Sequence, residues 1–296
     1  FSLKTEFIGL AVMTELPLVI VDVQRAGPST GLPTKTEQSD LMQALFGRHG
    51  ESPIAVVAAN SPRDCFDAAI EAARIALKYM TPVILLTDGY LGNGSQVWRV
   101  PHLAELPELT TMLHRDPQGY APYLRDPETL ARPWAPVGAA GLEHRIGGLE
   151  KADGSGAVSH DPANHERMTQ LRADKIARIA NELPPTDIGG DPASRLLVLS
   201  WGSTHGVVQQ AVRNLAGAGI GVATVNLRHL NPLPKDLGDV VRRYDKVLIP
   251  ELNSGQLWYR MRAELLVDCV RLNKVQGQPF AAHEIETKVK ALLEVA

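Results

Sequence analysis

What most constrains this chain is a series of short apolar runs with little polar alternation. "LVIVDV" (18–23), "IAVVAA" (54–59), "VILLT" (83–87), "LLVLSWG" (196–202), "VATVNL" (222–227) and "KVLIP" (246–250) all have this character. A strand with one wet face alternates; a strand covered on both faces does not, because helices pack on either side. Helical patterns separate the runs. Residues 1–14 and 36–47 show apolar positions near helical spacing. Phe66, Ile70, Ala73, Leu77 and Met80 recur at four-three spacing up to Pro82. Before that stripe, Ser61-Pro62-Arg63-Asp64 reads as an N-cap, a proline at the first helical position and an acid in the first turn. Alternating strand and helix implies open parallel α/β sheets, with functional loops at the carboxyl ends of the strands.

The 296 residues suffice for two such units. Residues 1–100 form the first and residues 193–296 the second, with helices expected at 207–215, 234–244, 254–269 and 281–295. Residues 101–192 are a looser connection rich in Pro, Gly and Asp, with one helix at 165–183. So long a connection wraps the neighbouring domain or a partner. A net charge of −3 gives no basic surface for nucleic acid. No apolar run approaches the roughly 20 residues that cross a bilayer, so a cytoplasmic protein is expected. Cys65 and Cys269 are isolated, which excludes a cysteine-bound cluster or disulfide framework in this chain, and no metal site is expected. The chain opens inside a helical pattern without Met, so the polypeptide is expected to extend upstream.

The loop after the first run, "QRAGPSTGLPTKTEQSD", concentrates chemistry. Arg25 offers a planar fork of donors that matches a carboxylate or phosphate two bonds at a time. Ser29, Thr30, Thr34, Lys35 and Thr36 add donors, and Gly27 and Gly31 permit tight turning. From the residues alone two readings stay open. Either the loop captures a small anion, or Arg25 pairs with Asp22 or Glu37 while the hydroxyls cap the next helix. It is not a phosphate-binding loop of the GxxxxGK[ST] kind.

Other candidates carry competing readings too. His49 and Glu51, before the second run, could border a cofactor or subunit seam; equally, His49 could bind the carbonyls ending the preceding helix. Asp88 reads as a turn aspartate before Gly89, with a cofactor-side role as the alternative. "GSTHG" (202–206) is an N-cap by Ser203 or Thr204, or an anion site. Glu251, Asn253 and Gln256 suit a domain or subunit contact, and Trp258 and Tyr259 read as core or interface.

The motifs "QRAGPSTGLPTKTEQSDL", "FGRHGESP", "LTDGYLG", "EHRIGGLEKADGSG" and "PELNSGQL" together resemble the α subunits of the 2-oxoacid:ferredoxin oxidoreductases, most of all those acting on 2-oxoglutarate. The resemblance runs over essentially the whole chain. It implies an N-terminally incomplete pyrimidine-binding-like domain followed by a transketolase C-terminal-like domain. It implies oxidative decarboxylation of a 2-oxoacid with coenzyme A and ferredoxin, pyruvate or a broad substrate range being the alternative to 2-oxoglutarate. Arg25 and Thr34 would then recognise the 2-oxoacid, with Ser29, Thr30 and Lys35 as neighbours. The family's YPITP-like motif and its aminopyrimidine glutamate are not found here and are expected upstream. Thiamine diphosphate, its Mg²⁺ and a [4Fe-4S] cluster are expected with a partner β subunit, in an (αβ)2 assembly. A non-catalytic scaffold is the reading from another class.

Overall fold

The computed structural model describes residues 2–109 and 113–295. A 3-10 turn (Ser2–Lys4) leads into helix α1 (Thr5–Thr14); Phe1, included in the expected first helix, lies outside the described residues. Strand β1 (Leu18–Gln24), helix α2 (Leu41–Phe46), strand β2 (Ala55–Ala58), helix α3 (Asp64–Tyr79), strand β3 (Pro82–Asp88) and the short helix α4 (Gly89–Asn93) follow. Every residue of β2 is buried, which accounts for its unbroken apolar run. α3 carries Asp64 and Asp67 in its first turn and Lys78 in its last, matching the helix dipole. The Ser61 hydroxyl accepts the Asp64 N–H at 3.2 Å, as an N-terminal stop requires.

The second unit comprises β4 (Gly189–Gly190), β5 (Leu196–Trp201), α6 (Thr204–Gly217), β6 (Ala223–Leu227), β7 (His229–Asn231), α7 (Leu237–Val241), β8 (Lys246–Glu251), α8 (Gln256–Arg260), β9 (Cys269–Asn273) and α9 (Ala282–Leu293); α5 (Pro162–Arg178) precedes it. Its sheet has the order β4-β6-β5-β8-β9 and the first sheet the order β1-β3-β2-β7. Both are the expected open parallel α/β sheets, and each adds one short antiparallel strand at an edge. β4 runs antiparallel to β6, and β7 runs antiparallel to β2.

β7 joins the two units. It belongs in sequence to the second and in space to the first. Asn231 Nδ2 donates to the Ile54 carbonyl at 2.6 Å, and His229 Nε2 lies 2.9 Å from Glu71 Oε1 on α3. The units also share one core: Ile8, Leu41, Val56, Ile84 and Leu86 pack in the same buried cluster as Leu199, Trp201, Val225, Ile249 and Leu257.

The connecting segment closes over the end of α1. Glu15, 1% exposed, ends that helix at a left-handed φ of 49°. Its carboxylate accepts from Arg125 Nη1 and Nη2 at 2.8 and 2.7 Å and from Lys175 Nζ at 2.5 Å. Arg132 Nε donates to the Thr14 and Glu15 carbonyls, and Lys151 Nζ to the Met13 carbonyl. These cations meet the negative end of a helix and one buried carboxylate. Burial opposes ionisation of Glu15, but Lys175 and Arg125 overcome it and hold its pKa at about 2. Burial and the neighbouring Arg125 bring Lys175 down to about 8, because two cations share one anion.

Three helices are shorter than their patterns predict. Residues 36–40 are not helical, and α2 starts at Leu41. Residues 234–244 contain only α7. The helix expected over 254–269 ends in a π-turn (Met261–Leu265), after which the chain turns into β9. Leu266 there adopts a left-handed φ of 54°, and Trp258 Nε1 donates to the Cys269 carbonyl at 2.6 Å. Among the described residues no helix is long and apolar enough to cross a membrane.

Candidate active site at the end of the first strand

β1 ends at Gln24, and Arg25 emerges at the carboxyl edge of the first sheet. The loop then folds on itself. Ala26 N–H donates to the Lys35 carbonyl at 2.9 Å, and Leu32 N–H to the Ala26 carbonyl at 3.2 Å. Gly31 has a φ of 48°, and a Cβ there would lie 2.3 Å from the Ala26 oxygen, so only glycine fits this turn. Ser29 and Thr34 also take left-handed φ values, 54° and 66°. Non-glycine residues hold that conformation only where surrounding structure imposes it.

Arg25 is exposed, and its Nη2 reaches the Ser29 carbonyl at 3.4 Å. Among the described residues it makes no ion pair, so the pairing with Asp22 or Glu37 does not form. It borders an open cleft of about 540 Å³ whose wall includes Asp22, Ser29, Glu37, Ser39 and Asp40. Thr30, Thr34 and Lys35 are exposed on the same loop but do not line this cleft. The expected donors therefore divide, with Arg25 and Ser29 in the cleft and the others exposed elsewhere on the loop. Asp40 is an unexpected member of that wall, and Asp22 and Glu37 share it without pairing with Arg25. Burial, and then the neighbouring Asp40, push Asp22 up to about 6, and its Oδ2 is buried without a partner. Burial raises Asp40 as well. Near pH 6 the pair thus carries less than its full charge beside the guanidinium.

The loop returns to the second unit through residues 36–40. Gln38, 0% exposed, donates from Nε2 to the Trp201 carbonyl at 2.7 Å and accepts at Oε1 from Leu252 N–H at 2.9 Å. Its backbone N–H donates to the Leu252 carbonyl at 3.0 Å, and its carbonyl accepts from Asn253 Nδ2 at 2.8 Å. Gln256 accepts the Met42 N–H at 2.9 Å and donates to the Ser39 carbonyl at 2.7 Å. Glu251 organises the opposing strand end. It is fully buried, and accepts from Trp201 Nε1, Asn253 Nδ2, Leu257 N–H and Trp258 N–H. Burial raises its pKa, against the pull of those four donors. The domain-contact role expected for Asn253 and Gln256 is what the geometry shows, whereas the side-chain partners of Glu251 all lie in its own unit. Gln38 had no local signal, since its side-chain partners lie 163 and 214 residues away.

Elsewhere the structure separates the candidates. His49 and Glu51 precede β2, at the opposite edge of the sheet from Arg25. His49 faces Glu6 at 3.4 Å, both exposed, and does not hold the end of α2. Arg48 does so, donating to the Ala44 and Leu45 carbonyls at 2.8 and 2.9 Å. Asp88, 1% exposed, caps α4 by accepting the Tyr90 and Leu91 N–H groups at 2.9 and 3.1 Å. Burial raises its pKa; the Thr36 and Ser203 hydroxyls approach its carboxylate without reaching hydrogen-bonding geometry. The N-cap expected from Ser203 or Thr204 is not made, because Ser203 already has helical backbone angles and the Thr204 hydroxyl turns back to the Trp201 carbonyl. Among the described residues no group of three or more His, Cys, Asp or Glu side chains could hold a metal ion.

Residues 1–161 match the family described as "Pyruvate flavodoxin/ferredoxin oxidoreductase, thiamine diP-bdg", and residues 190–256 match the transketolase C-terminal domain. The 2-oxoglutarate oxidoreductase subunit KorA of Mycobacterium tuberculosis is 53% identical over 293 residues, 99% of this chain and 45% of that protein. The 2-oxoglutarate synthase subunit KorA of Methanocaldococcus jannaschii is 31% identical over 291 residues, covering 98% of this chain and 77% of that one. The solved 2-oxoglutarate:ferredoxin oxidoreductase of Magnetococcus marinus, with 2-oxoglutarate, coenzyme A and succinyl-CoA bound, superposes with a TM-score of 0.92. That likeness holds at 34% identity and covers 98% of this chain and 51% of that one. The chain therefore spans about half the length of two of these three relatives. On the strength of both the sequence match and the shared fold, the chain belongs to the 2-oxoacid:ferredoxin oxidoreductase family, among its α-subunit sequences.

Proposed function

We propose that this chain supplies 2-oxoacid recognition within the α subunit of a 2-oxoglutarate:ferredoxin oxidoreductase, working in the cytoplasm. The overall reaction takes 2-oxoglutarate, coenzyme A and oxidised ferredoxin to succinyl-CoA, CO2 and reduced ferredoxin. The observation that carries the reading is the Arg25 guanidinium. It stands exposed at a sheet's carboxyl edge, beside a cleft, and among the described residues no carboxylate pairs with it. A charged fork held at such an edge is suited to binding a substrate carboxylate through two parallel hydrogen bonds. Ser29 is the neighbouring donor in the cleft. Thr34, Thr30 and Lys35, exposed on the same loop, are read as supplementary contacts made when the loop meets its partner.

Thiamine diphosphate, when bound, supplies carbanion stabilisation for the decarboxylation. We assign its diphosphate, Mg²⁺ and a [4Fe-4S] cluster to a β subunit in an (αβ)2 assembly, with ferredoxin as the electron acceptor. This chain's own share is to bind and orient the 2-oxoacid. Within it, residues 1–100 serve as the pyrimidine-binding-like unit, 101–192 as the connection and 193–296 as the transketolase C-terminal-like unit. His49, Glu51 and Asp88 are given structural rather than cofactor-side roles.

The test replaces Arg25 by Met in the complete complex. Loss of two charge-assisted hydrogen bonds, at about 1.5–3 kcal/mol each, lowers kcat/KM for 2-oxoglutarate at least about a hundredfold. Lysine restores only part, because a point charge cannot fork onto both oxygens. Thr34→Val gives a smaller loss. Bound thiamine diphosphate stays unchanged. An Arg25→Met complex with normal kcat/KM refutes the reading and leaves assembly alone as the chain's role. Comparing pyruvate with 2-oxoglutarate in the same assay decides the substrate.

A further inference from the structure

We infer that Gln38 is the residue that positions Arg25, and that it does so by fastening the substrate loop to the second domain. The inference rests on Arg25 being the substrate clamp, and it assigns to that clamp a support drawn from the other half of the chain.

The argument starts from what holds Arg25 itself. Its backbone carbonyl accepts from the Ser39 hydroxyl at 3.0 Å. The N–H of Ala26, the next residue, donates to the Lys35 carbonyl at 2.9 Å. The side chain of Gln24, the preceding residue, accepts the Asp40 N–H at 3.1 Å and donates to the Thr87 carbonyl at 3.0 Å. The base of the arginine is thus tied to residues 35, 39 and 40. Gln38 sits among these three ties, and it alone in the stretch spends all four of its polar groups on the second unit: the Trp201 carbonyl, both backbone groups of Leu252, and Asn253.

The receiving surface is itself rigid. Trp201 accepts Gln38 at its carbonyl and donates from its indole to Glu251, and Glu251 in turn holds Asn253, which completes the ring back to the Gln38 carbonyl. Gly202 packs against the amide, so that a Cβ there would lie 2.9 Å from Gln38 Nε2. A residue buried this fully, with both ends of its side chain bonded in opposite senses, has one orientation only. Shifting residues 36–40 by about 1 Å would displace Arg25 by a similar amount and loosen its fork on the substrate carboxylate.

The experiment uses the full-length complex and compares Gln38→Met, Gln38→Glu and Arg25→Met. In Gln38→Met both side-chain bonds are lost at nearly constant volume. The expected result is a KM for 2-oxoglutarate raised at least about tenfold, with kcat per assembled, cofactor-loaded site changed much less. Amide hydrogen exchange across residues 25–36 should accelerate at the same time. Gln38→Glu supplies the discriminating arm. Its carboxylate would face the Trp201 carbonyl without a proton to donate, but its acid form would restore the bond. Its KM should therefore fall toward the wild-type value as pH is lowered toward 6, relative to the wild type, while the Met variant shows no such recovery. A purely structural Gln38 would lower the active fraction and leave KM and its pH dependence alone. A normal KM and unchanged exchange in Gln38→Met, beside a raised KM in Arg25→Met, overturns the positioning role by itself. A normal KM in Arg25→Met overturns the substrate clamp, and the positioning role with it.

Discussion

Glu15→Gln is the perturbation whose effect on stability can be worked out most fully from the geometry. The substitution keeps the side-chain shape and removes one charge from a site that is 1% exposed. Two cations lose their counter-ion. Arg125 gives up its paired bonds at 2.7 and 2.8 Å, and Lys175 its bond at 2.5 Å. Removing one partner of a buried ion pair costs about 3–5 kcal/mol, because the other charge stays buried. Glutamine retains one acceptor oxygen, and the Leu130 and Met80 carbonyls still accept from Arg125 and Lys175, which places the expectation near the lower figure, about 3 kcal/mol at pH 7. The pH dependence is a sharper test. The pKa of Lys175 already lies at about 8 in the folded chain, below its ordinary 10.5. Without Glu15 it falls further. Between the folded and unfolded values the unfolded chain binds the extra proton, so stability rises with pH there, and the window of that rise widens downward in the variant. Urea unfolding of wild type and variant at pH 7 and pH 9 measures both effects. A cost below about 1 kcal/mol at pH 7, or a deficit that grows at pH 9, would show that the Glu15 cluster does not hold the segment to α1.

Two further outcomes follow from the same structure. Burial opposes ionisation of both Glu15 and Glu71, yet their partners (Lys175 and Arg125 for one, the hydrogen-bonded His229 and Arg74 for the other) hold each at about 2, below the ordinary 4.5. Stability from these two groups is complete above pH 4.5 and is lost as pH falls toward 2, so acid unfolding should steepen there, and less so in Glu15→Gln. Gly202→Ala places a methyl 2.9 Å from Gln38 Nε2 at a φ of 59°. It should cost about 1–3 kcal/mol in thermal unfolding and raise KM in the same direction as Gln38→Met; an alanine variant of normal stability would show that the contact yields freely.

Most of the longer strands were legible because burial leaves a local trace; β1 departs from it, since its apolar run is exposed at Leu18, Val21 and Val23 and is not covered on both faces within this chain. An apolar run such as residues 54–59 is dictated by helices on both faces, and β2 and β5 are buried throughout. α3 was legible in the same way, from its stripe and from the Ser61 and Asp64 start signal. The anion-suited loop was legible from composition, since Arg25, the hydroxyls and the glycines lie together in sequence. Where two neighbours compete for one job, the pattern did not choose. Arg48, not His49, reaches the carbonyls of α2, since its longer side chain spans back one turn.

Tertiary structure decided the rest, and for one physical reason. Residues 36–40 have helical periodicity, but the backbone groups of Gln38 bond to Leu252 and Asn253, and a group bonded there is not available to a helix. β7 is three residues long, too short to stand out, and exists because the open edge of β2 accepts it. Asp22 and Asp40 share a wall of the Arg25 cleft only because β1 and the start of α2 are brought together. Local periodicity records which side of an element is buried. It does not record which atoms, 163 to 215 residues away, complete the hydrogen bonds, and those partners determine where the arginine stands.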